Sequence, residues 1–210
     1  MPGGKFIVIE GLDGSGCGTQ AEILREKLMA NEHVIFLRYP EYTHPIGELI
    51  YKYLKQKFLV TQETLFMLFV LDQAKDKERI ADALESNKII LADRYFTSNL
   101  AFQCSRGFDL KKALTIAETL ELPKPDIVIF LKVSPEISLK RKQKEKQSLD
   151  IYEKDLELQK KVAAMYEKLT AEKVFAKEWV VVDGEKDIGE VASEVEKVVR
   201  EKFGDFESSN

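Results

Sequence analysis

Short apolar runs alternate along the chain with longer segments in which apolar and polar residues recur at helical spacing. The runs are rich in Val, Ile, Phe and Leu, as expected for strands that helices cover on both faces. They predict strands near residues 5–10, 33–38, 88–92, 126–132 and 179–183. The segments between them predict helices near 17–30, 46–57, 62–85, 109–121, 135–145, 150–171 and 187–202. This alternation is typical of an α/β fold built on a parallel sheet.

The first predicted strand runs directly into a glycine-rich turn that opens a helix. Backbone N–H groups in such a turn can surround a phosphate, and the helix N-terminus adds partial positive charge. The spacing matches both outer glycines of the pattern G-x-x-x-x-G-K-[ST]. A tight turn without a ligand is the alternative. The candidate phosphate-binding residues are Gly11, Leu12, Asp13, Gly14, Ser15, Gly16, Cys17, Gly18 and Thr19.

This loop departs from the pattern at the two positions after its last outer glycine. Cys17 replaces the lysine, and Gly18 replaces the Ser or Thr, with Thr19 one position late. A thiol at a helix N-terminus tends toward a lowered pKa. A thiolate beside polyphosphate would be repelled, so we expect bound nucleotide to keep Cys17 neutral.

Polar residues follow the second and third predicted strands, where open α/β sheets bind ligands. The second strand ends near Arg38, Tyr39 and Tyr42, which together indicate a functional loop. The third ends at Asp93 and Arg94, a pair that can divide into a magnesium-side carboxylate and a phosphate-side guanidinium. Packing of one of these side chains and a structural salt bridge between Asp93 and Arg94 are the alternatives.

A basic run without apolar residues lies between the fourth and fifth predicted strands, from Lys140 to Ser148. Such runs are usually solvated helix faces. Because the phosphate loop lacks its lysine, a mobile basic lid that closes over a polyphosphate is the functional interpretation. Its candidate cations are Lys140, Arg141, Lys142, Lys144 and Lys146.

Composition narrows the class of protein. A chain of 210 residues with 44% hydrophobic content suits one domain. The net charge of −4 argues against nucleic-acid and membrane partners. Two cysteines, Cys17 and Cys104, are too few for a disulfide scaffold, and no signal-like or long apolar stretch is present. We therefore expect a cytoplasmic location.

Six stretches distributed over nearly the whole chain carry a family resemblance. They are Phe6-Ile-Val-Ile-Glu-Gly-Leu-Asp-Gly-Ser-Gly, Arg38-Tyr-Pro, Leu68-Phe-Val-Leu-Asp, Asp93-Arg-Tyr-Phe-Thr-Ser-Asn, Leu122-Pro-Lys-Pro-Asp and Tyr152-Glu-Lys-Asp-Leu-Glu-Leu-Gln. Together they resemble the thymidylate kinase family, P-loop enzymes that phosphorylate dTMP with ATP.

The resemblance implies an architecture and a set of partners. The fold would be a P-loop NTPase three-layer αβα sandwich with a five-stranded parallel sheet. Residues 1–203 would form a single kinase domain with a lid near 140–150, followed by a disordered tail at 204–210. ATP and a pyrimidine nucleoside monophosphate would be the ligands, Mg²⁺ the cofactor and a homodimer the assembly.

The resemblance also implies residue roles. Asp13 would contact the sugar hydroxyl, Arg94 would hold the acceptor phosphate, and Asp93 would lie on the magnesium side. Phe69 would stack on the pyrimidine, and Asn99 would touch the base. The expected catalytic residues are Asp13, Asp93, Arg94, Arg141 and Lys144. The expected substrate-binding residues are Asp13, Arg38, Tyr39, Tyr42, Phe69, Gln73, Arg94, Asn99 and Phe102.

Two further departures from the family pattern bear on the acceptor. Gln73 stands where relatives commonly have an arginine that hydrogen-bonds the base, although an amide can still pair with a pyrimidine edge. Phe102 stands where many relatives have a tyrosine near the sugar. The alternatives to a dTMP kinase are a kinase for dUMP or UMP, or a nucleotide-binding protein with weak or lost catalysis because of Cys17.

Overall fold

The computed structural model describes residues 3–28, 34–145 and 150–204 and contains one five-stranded parallel sheet. Its strands are β1 (Lys5–Gly11), β2 (Val34–Arg38), β3 (Ile89–Asp93), β4 (Ile127–Lys132) and β5 (Trp179–Asp183). They lie in the order β2-β3-β1-β4-β5, and every adjacent pair is parallel. The predicted parallel sheet is therefore confirmed.

Helices cover both faces of this sheet. The described helices are α1 (Cys17–Leu28), α2 (Pro45–Leu54), α3 (Gln62–Ala74), α4 (Lys77–Glu85), α5 (Phe96–Ser105), α6 (Leu110–Thr119), α7 (Pro135–Glu145), α8 (Leu156–Ala171) and α9 (Ile188–Phe203). Alternate residues of β1 face two different cores: Phe6 and Val8 belong to one, and Ile7 and Ile9 to the other. Both faces of the central strand are thus buried, and the three-layer prediction is confirmed.

The structure corrects the prediction of one helix over residues 62–85. The chain forms α3 and α4 there, with a break at Lys75 and Asp76. Both break residues have partners outside the helix, because Asp76 accepts from Tyr39 and Lys75 pairs with Glu41. A tertiary contact with the loop after β2 therefore accompanies a break that the local sequence does not signal.

The sequence also failed to predict α5, which begins two residues after Arg94. Its N-cap residue, Tyr95, makes no side-chain capping bond. Instead the carboxylate of Glu10 accepts from the backbone N–H groups of Tyr95 and Ser98, each at 3.0 Å. The first turn of α5 is satisfied by a residue 85 positions earlier, which no local start signal could reveal.

The order of the strands in the sheet determines where the candidate site lies. β1 lies between β3 and β4, so the loops that follow β1 and β3 meet at one edge of the sheet. The loop that follows β2 joins them, because the backbone N–H of Tyr39 donates to the carbonyl of Asp93 at 3.1 Å. The phosphate loop, the Asp93–Arg94 pair and the Tyr39–Tyr42 loop are therefore neighbours.

Candidate active site

A cleft of about 430 Å³ opens at the carboxyl edge of the sheet, between the phosphate loop, α3, α5 and α7. It brings together most of the residues that the sequence analysis selected. Those in its lining are Leu12, Asp13, Gly14, Gly16, Cys17, Gly18, Thr19, Arg38, Tyr39, Tyr42, Phe69, Gln73, Asp93, Arg94, Asn99 and Phe102.

Five described residues that were predicted from the sequence lie outside the cleft lining: Gly11, Ser15, Lys140, Arg141 and Lys144. Gly11 is at the base of the loop, where its carbonyl accepts from Arg94, and the hydroxyl of Ser15 lies 3.1 Å from the sulfur of Cys17. Arg141 turns away toward the loop after β5 and donates to the carbonyls of Gly184 and Glu185. Lys144 is exposed on α7. Their predicted roles stay predictions, and Lys146 lies outside the described residues.

The cleft lining also contains Lys142, one of the candidate lid cations, and, from α7 and the segment that follows it, four residues that were not predicted from the sequence. Lys142 and Glu145 come from α7, and Asp150, Tyr152 and Glu153 follow the lid. Tyr152 and Glu153 belong to one of the stretches that carry the family resemblance, which is the sequence signal that could have identified them.

The phosphate loop needs glycine at Gly14. Its φ is +91°, a left-handed conformation that other residues adopt only with strain. A Cβ at Gly14 would also lie 2.6 Å from the carbonyl oxygen of Ser138 on α7. The hydroxyl of Ser138 donates to the carbonyl of Asp13. The missing side chain therefore lets α7 rest directly on the loop.

Cys17 is buried, with 4% of its surface exposed, and belongs to the same core as Ile7 and Ile9. Burial raises the pKa of its thiol to about 12, and the nearby Arg94 guanidinium only partly opposes this. The expectation of a lowered thiol pKa is thus wrong, because desolvation outweighs the helix N-terminus. The position of the usual loop lysine holds a neutral group.

Arg94 lies at the centre of the cleft with a left-handed backbone (φ 68°). Its guanidinium donates to the carboxylate of Asp13 at 2.7 Å, to the carbonyl of Gly11 at 2.8 Å and to the hydroxyl of Ser98 at 3.2 Å. Burial alone would lower the pKa of Arg94, but the charge of Asp13 and other neighbours raises it well above its ordinary value. The side chain stays cationic beside the phosphate loop.

Glu10 fixes the segment that carries Arg94. This carboxylate is fully buried and accepts from the hydroxyls of Thr97, Ser98 and Tyr166 as well as from the backbone N–H groups of Tyr95 and Ser98 at the start of α5. Burial raises the pKa of Glu10, although Arg94 and the hydroxyl donors oppose the shift. The sequence signal that could have revealed it is a single acid in an otherwise apolar strand.

Asp93 pairs with Arg38 at 2.9 Å rather than with its neighbour Arg94. Burial raises the pKa of this carboxyl, and the two arginines oppose the shift. Its Oδ2 would lie 3.2 Å from a Cβ on Gly18, next to the exposed Thr19. Among the described residues no group of three or more His, Cys, Asp or Glu side chains could hold a metal ion. One carboxylate beside a phosphate loop nevertheless fits Mg²⁺, which keeps waters and phosphates as its other ligands.

Aromatic and amide side chains from α3 and α5 form the other half of the cleft. Phe69 and Gln73 come from α3, and Asn99 and Phe102 from α5. Asn99 donates its amide to the carbonyl of Phe66 at 3.3 Å, which leaves its Oδ1 buried without a partner. The Oε1 of Gln73 is likewise buried without a partner. Two residues of the pocket lining thus carry a buried oxygen acceptor without a partner, which a small side-chain rotation would present to a ligand.

The loop after β2 is anchored to the break between α3 and α4. The hydroxyl of Tyr39 donates to Asp76 at 2.8 Å, and the backbone N–H of Glu41 donates to Asp72 at 3.0 Å. Lys75 pairs with all three carboxylates, those of Glu41, Asp72 and Asp76. Tyr42, in contrast, is 47% exposed at the cleft mouth. Tyr39 thus lines the cleft through its ring, while its hydroxyl is committed to Asp76.

Within the described parts of the chain, no helix is both long enough and apolar enough to span a membrane.

Comparison with known proteins matches this site to one family. The family model described as "Thymidylate kinase" matches residues 9–195. The thymidylate kinase of Plasmodium falciparum is 34% identical over 199 residues, which cover 93% of this chain and 90% of the relative. That of Schizosaccharomyces pombe is 31% identical over 198 residues, with coverage of 93% and 91%.

A solved structure shows the same architecture. Thymidylate kinase from Candida albicans superposes with a TM-score of 0.78 at 27% identity, and the match covers 98% of this chain and 94% of that one. The family match over residues 9–195 and the structural match over 98% of the chain both include the phosphate loop. The chain belongs to the thymidylate kinase family.

Proposed function

We propose that this protein transfers the γ-phosphate of ATP to dTMP and gives dTDP. The observation that carries the proposal is that one cleft joins a glycine loop at a helix N-terminus, a buried arginine and a pocket of aromatic and amide groups. The glycine loop suits the donor phosphates, and the pocket suits a nucleobase. Arg94 lies between them and can reach an acceptor phosphate.

Phosphoryl transfer needs alignment and charge stabilisation more than covalent chemistry. In our proposal the N–H groups of Gly14 to Thr19 hold the donor phosphates, and Arg94 orients the acceptor phosphate. Arg94 would exchange part of its contact with Asp13 for that phosphate, which frees Asp13 to accept from a sugar hydroxyl. Both groups already lie at the cleft, so little rearrangement is required.

Asp93 and Thr19 are the residues that would hold Mg²⁺. Bound Mg²⁺ supplies charge neutralisation of the donor phosphates. Arg38 keeps the carboxylate of Asp93 in place through a bond of 2.9 Å. A protein contact therefore sets the position of the Asp93 carboxylate before any ion binds.

The acceptor pocket favours thymine or uracil. Phe69 would stack on the base, and Asn99 would accept from its N3–H, because the bond to Phe66 leaves Oδ1 as the free end of the amide. Cytosine offers an unprotonated N3 to that oxygen and would be disfavoured. Gln73 would meet the base edge with either end of its amide, a looser contact than an arginine would make.

The test is ADP release from ATP with dTMP, dUMP, UMP, CMP, AMP or no acceptor. We expect dTMP to give the highest kcat/KM and dUMP to follow. A preference for CMP or AMP would overturn the acceptor assignment. ATP binding without turnover on any acceptor would instead support a nucleotide-binding protein that has lost catalysis through Cys17.

We also propose a single kinase domain over residues 1–203, a homodimer and a cytoplasmic location. Family membership supports the dimer, and so do Leu49 on α2 and Leu71 on α3, which are 41% and 44% exposed on helices that pack together. Light scattering of the purified protein, with Leu71→Glu as the variant, tests the assembly. A monomeric parent protein would refute it.

A further inference from the structure

The described lining of the cleft carries more acidic than basic side chains. Its cations are Arg38, Arg94 and Lys142, whereas its carboxylates are Asp13, Asp93, Glu145, Asp150 and Glu153. Cys17 adds no charge, because burial keeps its thiol neutral. Two polyanionic nucleotides would meet an unfavourable field here unless one of the three cations can turn to them.

Two of these cations are already engaged on the floor of the cleft. Arg38 bonds to Asp93 and to Glu22, each at 2.9 Å. Arg94 bonds to Asp13 at 2.7 Å and to two further oxygens, and only 16% of its side chain is exposed. Both serve the magnesium and acceptor side of the proposed reaction. Arg94 meets the phosphate loop at its start, through Gly11 and Asp13, whereas Gly14 to Thr19 are the proposed ligands of the donor phosphates.

Lys142 lies on the loop itself. Its Cγ would be 3.1 Å from a Cβ on Gly14, and Ser138, one helical turn earlier on α7, contacts the same glycine. Its ammonium group pairs with Glu145 at 2.9 Å and lies 3.9 Å from Glu153. The side chain of Glu145 is 56% exposed, and an ion pair of this kind is weak.

The other described basic residues of α7 are placed differently. Lys140 and Lys144 are exposed and do not line the cleft. Arg141 is held by the carbonyls of Gly184 and Glu185. The spacing of four residues between Ser138 and Lys142 puts both on the helix face that rests on the loop.

We propose that Lys142 supplies the cation that the phosphate loop lacks, by leaving Glu145 and binding the terminal phosphates of ATP. The inference rests on the proposed function, since it assumes ATP as the donor. A phosphate group outcompetes a single exposed carboxylate because it carries more charge and more acceptor oxygens. Lys142 would then act on the donor, opposite Arg94 on the acceptor.

The experiment measures the Kd of a non-hydrolysable ATP analogue and, separately, kcat with dTMP. We expect Lys142→Ala to weaken binding and slow turnover by roughly ten- to a hundred-fold, the effect of removing one charge-assisted hydrogen bond. Lys140→Ala and Lys144→Ala remove the other exposed candidate cations from the same helix, and each should cost less than Lys142→Ala in both measurements. Lys161→Ala, on the exposed face of α8, controls for net charge.

Two further variants sharpen the test. Glu145→Gln removes the competing partner and should tighten analogue binding by up to about twofold, as expected for a weak exposed ion pair. In a Cys17→Lys background, Lys142→Ala should weaken analogue binding and slow turnover much less than in the parent chain, because the phosphate loop then has its own cation. The comparison is made once thermal unfolding and circular dichroism show that the Cys17→Lys variant folds like the parent protein.

Equal losses for Lys140→Ala, Lys144→Ala and Lys142→Ala would overturn the inference, and so would an unchanged Kd for Lys142→Ala. Analogue binding is measured without an acceptor, so it does not depend on dTMP being the substrate. A protein that binds ATP through Lys142 but fails to phosphorylate dTMP would refute the proposed function alone.

Discussion

Glu10 should be required for folding, although it makes no contact with a nucleotide in the proposed mechanism. Replacing it by Ala leaves the backbone N–H of Tyr95 buried with no acceptor, whereas the N–H of Ser98 keeps the carbonyl of Tyr95 at 3.0 Å. An unsatisfied buried donor costs about 1–3 kcal/mol, so the N–H of Tyr95 alone predicts a loss of that size. The hydroxyls of Thr97, Ser98 and Tyr166 lose the same acceptor and increase the loss of stability.

Glu10→Gln should be far milder. The amide oxygen can accept from the two N–H groups, and the amide N–H groups can donate to the hydroxyls of Ser98 and Tyr166. Because burial raises the pKa of Glu10, folding favours its protonated form, which glutamine resembles. The parent protein should therefore lose stability as pH rises from 4.5 through the raised pKa, and Glu10→Gln should remove this component.

Urea unfolding followed by circular dichroism measures both variants, with Glu26→Ala on the exposed face of α1 as the control. The control should stay within about 0.5 kcal/mol of the parent protein. If Glu10→Ala is as stable as the control, the carboxylate does not hold α5, and the reasoning fails. A stable Glu10→Ala variant with a raised KM for dTMP would assign the residue to positioning Arg94 alone.

Three other substitutions test separate contacts. Arg94→Ala should abolish turnover while the Kd for ATP stays nearly unchanged; near-normal rates would make Arg38 the acceptor-phosphate ligand instead. Phe69→Ala should weaken dTMP binding by about 1–3 kcal/mol in calorimetry, as stacking contacts do, with ATP binding as the internal control. Tyr39→Phe removes one bond to the buried Asp76 and should cost about 1–3 kcal/mol in urea unfolding; a smaller loss would show that Lys75 satisfies Asp76 by itself.

The sheet and the phosphate loop were predictable because their signals are local. A buried strand has a continuous apolar run, and the phosphate loop has fixed glycine spacing, so the sequence of residues 5–20 predicts both. The start of α5 was not predictable, because its cap is supplied by Glu10 from another strand. The break between α3 and α4 also involves Tyr39 and Glu41, which lie more than thirty positions away.

Contacts between distant parts of the chain also limited the prediction of the site. The sequence located a basic segment near residue 140, and Arg141 and Lys144 were predicted as its catalytic cations, but which cation reaches the loop depends on how α7 is rotated against it. The geometry brings Lys142 to Gly14 and turns Arg141 toward Gly184. The pKa of Cys17 was misjudged for a related reason, because the helix N-terminus is visible in the sequence whereas burial of the thiol is not.

The contact between Gly18 and Asp93 affects how this loop can change over evolutionary time. A serine at position 18, as in the common motif, would bring its Cβ to 3.2 Å from Asp93 Oδ2, closer than most such contacts in proteins. The carboxylate could yield only by shifting its bond to Arg38, and Arg38 is in turn tied to Glu22. A serine at position 18 therefore needs accommodating changes around it. The glycine at this position is coupled to the Asp93–Arg38–Glu22 chain of ion pairs, so a single substitution to the common motif would disturb the carboxylate proposed to hold Mg²⁺.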